Sequence, residues 1–204
     1  MNDHDIRKLF FEKSGYDSKS EKRSKMMNRG DIFGISGIQT SGEYVFQEVG
    51  IQEGGVIADI VIIDLRAHSG VGMIAGYEIK SDEDNFRRFP KQARAYAQVF
   101  DFNSLIVGRS FDASVCPAGW GCSVASPGEL EFRQEATRNP SSVYELVRLI
   151  WRAEAYALLK RHGLGKRMSG ASRGRMWARL CEGVDTCVLR SEILRTITER
   201  RGWK

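Results

Sequence analysis

"GYEIKSDEDNFRRFPKQARAYAQVFDFNSLIVG", residues 76–108, decides the fold. It reads as the end of an apolar strand, a polar stretch, an amphipathic helix and a second apolar strand, "SLIVG" (104–108). Glu78 and Lys80 flank Ile79 at the end of the first strand. Side chains alternate along a strand, so the two charges share one side and Ile79 points to the other, into the core. Charges in a buried strand are costly unless they are paired or bound to a metal. The helix is expected over 82–101, with Phe86, Phe89, Ala93, Ala97 and Phe100 in helical register. Pro90 falls inside it, so the helix either starts near that residue or is kinked there. Ser81, Asp82, Glu83 and Asp84 are expected to cap it, acids being favoured at a helix N-terminus.

Upstream, "EYVFQEVGI" (43–51) reads as a strand and "QEGG" (52–55) as a turn. "VIADIVIID" (56–64) is apolar on both faces except at Asp59, the mark of a central strand, and "MIAGYEIK" (73–80) completes the set. A hairpin closed by 52–55 makes Ile51 face Val56 and puts Glu48 opposite Asp59. If Asp64 then pairs with Met73, Asp59 falls opposite Glu78. One set of registers thus gathers Glu48, Asp59, Glu78 and Lys80 on one sheet face.

Clustered carboxylates are natural ligands for a hard cation such as Mg²⁺ or Mn²⁺. Such an ion polarises a phosphoryl oxygen and activates water, and a neighbouring lysine can position that water or stabilise developing negative charge. The same residues also admit a plain ion pair, Asp59–Lys80 or Glu78–Lys80, that only satisfies itself. In the helix, Gln92 and Tyr96 stand at i and i+4 on one face, among Arg87, Arg88, Lys91 and Arg94. An amide, a phenol and four cations beside an acidic strand suit a phosphate backbone. The alternative is a solvated basic face with Tyr96 tucked into the core.

Asp59, then Glu78-Ile79-Lys80, then Gln92-x-x-x-Tyr96 resembles the PD-(D/E)XK nuclease superfamily, the last element being similar to that of its RecB and Cas4 branch. The likeness to small stand-alone bacterial and phage members runs from "NDHDIRKLF" through "PAGWG" to "RRGW". The resemblance implies a restriction-endonuclease-like αβββαβ core with a mixed central sheet. It implies metal ligation by Asp59, Glu78 and the main-chain carbonyl of Ile79. It gives Lys80 to the water, Glu48 an auxiliary acidic role, and Gln92 and Tyr96 the support of substrate or active site. Two features depart from the pattern. Ala58 stands where a proline often precedes the aspartate. The basic residue expected just before it is absent, Ile57 and Ala58 being there instead, which removes one phosphate contact.

The remaining chain is consistent with this frame. A length of 204 residues allows one domain with a small extension, read as a core over 1–140 and a basic helical part over 141–204 packed on it. Residues 4–14 are predicted helical, with Ile6, Leu9 and Phe10 on one side, and 15–42 as a long loop. After Gly108 the sequence to about residue 128 reads as loop with a short strand at most. Three helices are expected over 141–162, 172–182 and 190–201. Residues 151–204 carry 13 Lys/Arg against 5 Asp/Glu. That balance points to a polyanion partner, most simply DNA, with Lys166, Arg167, Arg173 and Arg175 as backbone contacts. It equally describes a solvated helical face. His4, His68 and His162 lack companions at ligand spacing. Cys116, Cys122, Cys181 and Cys187 lack zinc spacing and are expected as reduced, partly buried thiols. Trp120 is read as packing in a tight loop, or as a base-stacking platform, and Trp151, Trp177 and Trp203 as core. No apolar run reaches the length of a membrane span, and the N-terminus is polar, so the expectation is a soluble, cytoplasmic protein. The function expected is a metal-dependent DNA nuclease. The alternative is a DNA-binding or adaptor protein of phage or mobile-element origin that does not cut. Substrate form and oligomeric state are not legible.

Overall fold

The computed structural model describes residues 1–14 and 43–200. The loop expected over 15–42 and Trp203 lie outside the described residues. The elements are α1 (Asp3–Ser14), β1 (Glu43–Ile51), β2 (Val56–Asp64), β3 (Met73–Lys80), α2 (Phe89–Val99), β4 (Phe102–Gly108), β5 (Gly121–Ser126), β6 (Glu129–Gln134), α3 (Val143–Val147), α4 (Arg152–Arg161), α5 (Arg173–Gly183) and α6 (Thr186–Thr198). The strands form one six-stranded sheet in sequential order. β1, β2 and β3 pair antiparallel, β3, β4 and β5 parallel, and β5 and β6 antiparallel. The architecture is α/β with a mixed sheet. Parallel pairing of β3 and β4 needs a crossover, and α2 supplies it.

Both predicted registers are present: Ile51 pairs with Val56, and Asp64 with Met73. Alternation along β3 sends Met73, Ala75, Tyr77 and Ile79 to one face and Ile74 to the other. The first face is covered by α1 through Ile6, Leu9, Phe10 and Phe11. The second packs on α2 and the C-terminal helices. Leu146, Leu158, Trp177 and Ile193 share one apolar cluster with Val49, Ile63 and Phe100.

β1 and β2 break alternation together. In β2, Val56 and Ala58 lie on the α2 face, and so do Val61 and Ile63, while Ile60 and Ile62 face α1. In β1 the same slip falls between Phe46 and Val49. Glu48, between them, has φ 54°. A non-glycine residue there costs about 1–2 kcal/mol. The β2–β3 ladder also stops at Ile60–Tyr77, although β2 begins at Val56 and β3 continues to Lys80. The two central strands therefore splay at Asp59. Glu48 and Asp59 occupy this kink, not the flat sheet face expected from regular alternation.

Several local expectations are corrected. α2 begins at Phe89, which puts Pro90 in its first turn, where a missing N–H costs nothing. Residues 81–84 consequently do not cap it. Asp84 accepts from the Ser81 amide at 2.8 Å and hydroxyl at 2.7 Å, and Asp82 accepts from the Ser110 amide at 2.8 Å. β6, "ELEFRQ", is a strand that its polarity concealed. It closes one edge of the sheet and is largely exposed. The helix expected over 141–162 is two helices, with Trp151 as the extended N-cap of the second and 41% exposed rather than core. Trp177 is buried as expected. Cys116 and Cys122 are not free thiols but a disulfide, their Cα atoms 6.1 Å apart across a tight turn. Cys181 and Cys187 are unpaired.

Candidate active site

The splay opens a cleft of about 400 Å³, lined by Asp3, Glu48, Asp59, Glu78, Lys80 and Gln92 among others. β3 carries Glu78 and Lys80 toward α2. Glu78 is 1% exposed and Lys80 6%. A carboxylate so buried needs every oxygen satisfied. The Lys80 ammonium donates to Glu78 Oε1, and the Gln92 amide donates to the same oxygen at 2.5 Å. The Tyr96 hydroxyl meets Glu78 Oε2 at 2.7 Å. Gln92 Oε1 accepts from Lys80 Nζ at 3.2 Å. The i, i+4 pair on α2 thus clamps the strand's carboxylate and ammonium in one network.

Tyr96 is fully buried. Its hydroxyl also lies 3.2 Å from the Tyr77 carbonyl and accepts from the Asp59 amide at 3.3 Å. Its ring stacks on Trp120 and meets Phe100 edge-on. Burial, with the charges of Glu78 and Asp59, pushes the phenol well above its ordinary value, so it remains a donor. Trp120 is 6% exposed and packs on Phe89 as well. It serves packing and presents no free face for a base.

Asp59 stands between the two sheet faces. Its Oδ2 accepts from the Ile79 amide at 2.7 Å. Its Oδ1 accepts from Arg7 Nη2 at 2.8 Å, and the same nitrogen reaches Glu48 Oε1 at 2.7 Å. Burial and the nearby Glu78 charge push the Asp59 carboxyl up to about 7. Arg7, on α1, was not singled out by sequence reasoning. Its one signal is the Asp3–Arg7 i, i+4 pair beside the buried Ile6, a pattern equally common on solvated faces.

The cations divide. Arg88 and Lys91 line the cleft, and Lys91 Nζ donates to the Gly55 carbonyl at 3.3 Å. Arg87 and Arg94 are exposed and lie outside its lining. Arg173 pairs with Glu53 at 3.4 Å and lies 5.4 Å from the Trp177 ring centroid, which brings α5 to the 52–55 turn at the cleft's rim. Arg148 holds the other oxygen of Glu53 at 2.8 Å. Lys166, Arg167 and Arg175 are exposed and not part of the lining.

Asp59, Glu78 and the Ile79 carbonyl form an all-oxygen donor set suited to a hard divalent ion. A cation, the Arg7 guanidinium, already stands on Asp59. Among the described residues, no three His, Cys, Asp or Glu side chains group closely enough to hold a metal by themselves. An ion there would need Asp59, Glu78, a main-chain carbonyl and water, and would displace partners these carboxylates already have.

Residues 31–202 match the family described as bacteriophage P4 protein cII. The chain belongs to the bacteriophage P4 protein cII family. The match takes in β1 through α6, so the clamp, the splay and the C-terminal helices all lie within the cII family region. Arg7 and α1 precede it. No curated protein matches significantly. Among solved structures, the chain is similar to the SPO1766 protein of unknown function from Silicibacter pomeroyi. The TM-score is 0.41 and the identity 20%, over 64% of this chain and 84% of that one. Among the described residues, no helix is long and apolar enough to cross a membrane.

Proposed function

We propose that this cII-family chain is a metal-dependent nuclease of PD-(D/E)XK type acting on DNA. One observation carries the reading: an aspartate at the point where two central strands part, beside a buried Glu–Lys pair clamped by a glutamine and a tyrosine. A structural ion pair needs no cleft and no second carboxylate. Here the pair faces a cleft with Arg88 and Lys91 on its wall.

Asp59, Glu78 and the Ile79 carbonyl would hold Mg²⁺ or Mn²⁺, which supplies a Lewis acid for the phosphoryl oxygen and lowers the pKa of water. The chain's own groups do the rest. Gln92 and Tyr96 orient Glu78, which is a positioning role, since Tyr96 has no exposed surface with which to touch substrate. The Lys80 ammonium lies at the cleft wall, where it orients the attacking water and offsets charge growing on the phosphoryl oxygens. Arg88 and Lys91 attract the phosphate backbone. In hydrolysis the water oxygen bonds to phosphorus and gives up a proton to solvent, the P–O bond to the leaving oxygen breaks, and that oxygen takes a proton from solvent.

A second reading, nucleic-acid binding without cleavage, is favoured by one feature: both Glu78 oxygens are already bonded within the protein. Incubation with labelled single-stranded, duplex and branched DNA, with Mg²⁺, Mn²⁺ or EDTA, separates the two. The nuclease reading expects cleavage in wild type that EDTA and Asp59→Asn abolish. Retained binding with no cleavage under either ion leaves the second reading standing.

A further inference from the structure

We infer that Arg7 is a tethered cation that holds the Asp59 site in the absence of a divalent ion and competes with that ion for it; this rests on the metal reading of the site. Each guanidinium nitrogen is engaged. Nε donates to Asp3 at 2.7 Å, Nη1 to the Asp59 carbonyl at 3.0 Å, and Nη2 to both Asp59 Oδ1 and Glu48 Oε1. It comes from the sheet face opposite the Gln92–Tyr96 clamp, so Asp59 is gripped from both sides.

Three points carry the inference. First, Arg7 and an ion would use the same carboxylate, since Arg7 Nη2 lies 2.8 Å from Asp59 Oδ1 and 2.7 Å from Glu48 Oε1. A divalent ion on that carboxylate would stand beside the guanidinium, and two like charges at such close range repel, so its binding and Arg7's contact with Asp59 oppose one another. Second, α1 is anchored through Ile6, Leu9, Phe10 and Phe11 in the core, so the side chain can leave while the helix stays. Third, an arginine released from Asp59 and Glu48, which do line the cleft, has a planar fork matched to a phosphate oxygen pair. Arg7 is then free to contact phosphate, and metal and phosphate favour each other's binding. The kink at Glu48 serves the same contact, since it turns that carboxylate onto Arg7.

Calorimetric titration of Mn²⁺ into metal-free wild type, Arg7→Gln, Arg7→Lys and Asp59→Asn tests this without any activity measurement. Arg7→Gln is expected to bind Mn²⁺ at least about tenfold tighter than wild type, within the usual range of coupling between sites. Arg7→Lys, with one point charge in place of a fork, is expected between them and covers the case in which Arg7→Gln does not fold. In EDTA, Arg7→Gln should melt below wild type, and saturating Mn²⁺ should raise its melting temperature by more than it raises that of wild type. If Asp59→Asn loses Mn²⁺ while Arg7→Gln and Arg7→Lys bind it no better than wild type, the metal site stands and the competition is overturned. If wild type and the Arg7 variants alike bind no Mn²⁺, the metal reading itself fails and this inference with it.

Discussion

Tyr96 holds Glu78 by a hydrogen bond of 2.7 Å to Oε2, and both residues are buried. Burial, with the charges of Glu78 and Asp59, raises the phenol well above its ordinary value, so it donates to a carboxylate that is itself 1% exposed. Tyr96→Phe keeps the ring against Phe100 and Trp120 and deletes the hydroxyl, the donor to Glu78 and the acceptor of the Asp59 amide. It is expected to cost about 1.5–3 kcal/mol of stability, the range for a hydrogen bond to a charged group. Urea unfolding of both proteins measures it. A change below about 0.5 kcal/mol would mean that Glu78 relaxes onto Gln92 and Lys80 alone.

Gly76 lies under the Phe100 ring, and a Cβ there would sit 2.3 Å from its nearest ring carbon. The ring cannot yield, because it is fully buried against Tyr96. Gly76→Ala is therefore expected to destabilise by about 1–3 kcal/mol, as overpacking does. Adding Phe100→Leu should cost less in the Gly76→Ala background than in wild type. Additive losses would show that the strand shifts and the contact is not limiting.

These contacts show what the sequence makes legible. Ile51–Val56 and Asp64–Met73 follow from short turns and the two-residue period, and they suffice to place Asp59 near Glu78. The i, i+4 spacing likewise puts Gln92 and Tyr96 together. Arg7 is different. Its contact with Asp59 spans 52 residues and depends on where α1 docks, which no local pattern encodes. The kink at Glu48 needs a left-handed residue, and glutamate does not signal one. β6 does alternate, but Leu130 and Phe132 are its two apolar residues and Phe132 is 45% exposed, so the period is too short to stand out. The paired slip of β1 and β2 is invisible for a related reason: "VIADIVIID" is apolar on both faces, and an apolar run carries no face information.

The C-terminal cations have unequal standing as nucleic-acid contacts. Arg173 is engaged by Glu53 and Trp177, whereas Lys166, Arg167 and Arg175 are exposed. If the proposed DNA-binding face extends from the cleft onto this part, neutralising Lys166, Arg167 and Arg175 should lower the slope of log affinity against log salt by roughly 0.7–0.9 per lost phosphate contact. The Arg88→Gln/Lys91→Gln pair on the cleft wall should do the same. Fluorescence anisotropy at a series of salt concentrations reads both. A slope altered only by the cleft pair would confine the binding face to the splay and leave the C-terminal charges as a solvated surface.

The Glu78–Lys80 pair bears both on stability and on chemistry, and a double-mutant cycle separates the two. Each side chain is almost wholly buried, so removing one leaves the other's charge with only Gln92 and, for Glu78, Tyr96. Lys80→Met and Glu78→Gln are each expected to cost about 3–5 kcal/mol. The double variant removes both charges and should recover part of that loss, with a coupling of roughly 1–3 kcal/mol by denaturant unfolding. Additive losses would show that the two charges are stabilised independently. Recovery of stability has no counterpart in the chemistry. If Lys80 orients the attacking water, the double variant is more stable than the two single losses would sum to and still does not cleave. Its DNA affinity should stay close to that of wild type, because the lost interaction belongs to the transition state and not to the bound substrate. A double variant that regained cleavage together with stability would show that the pair serves the fold alone.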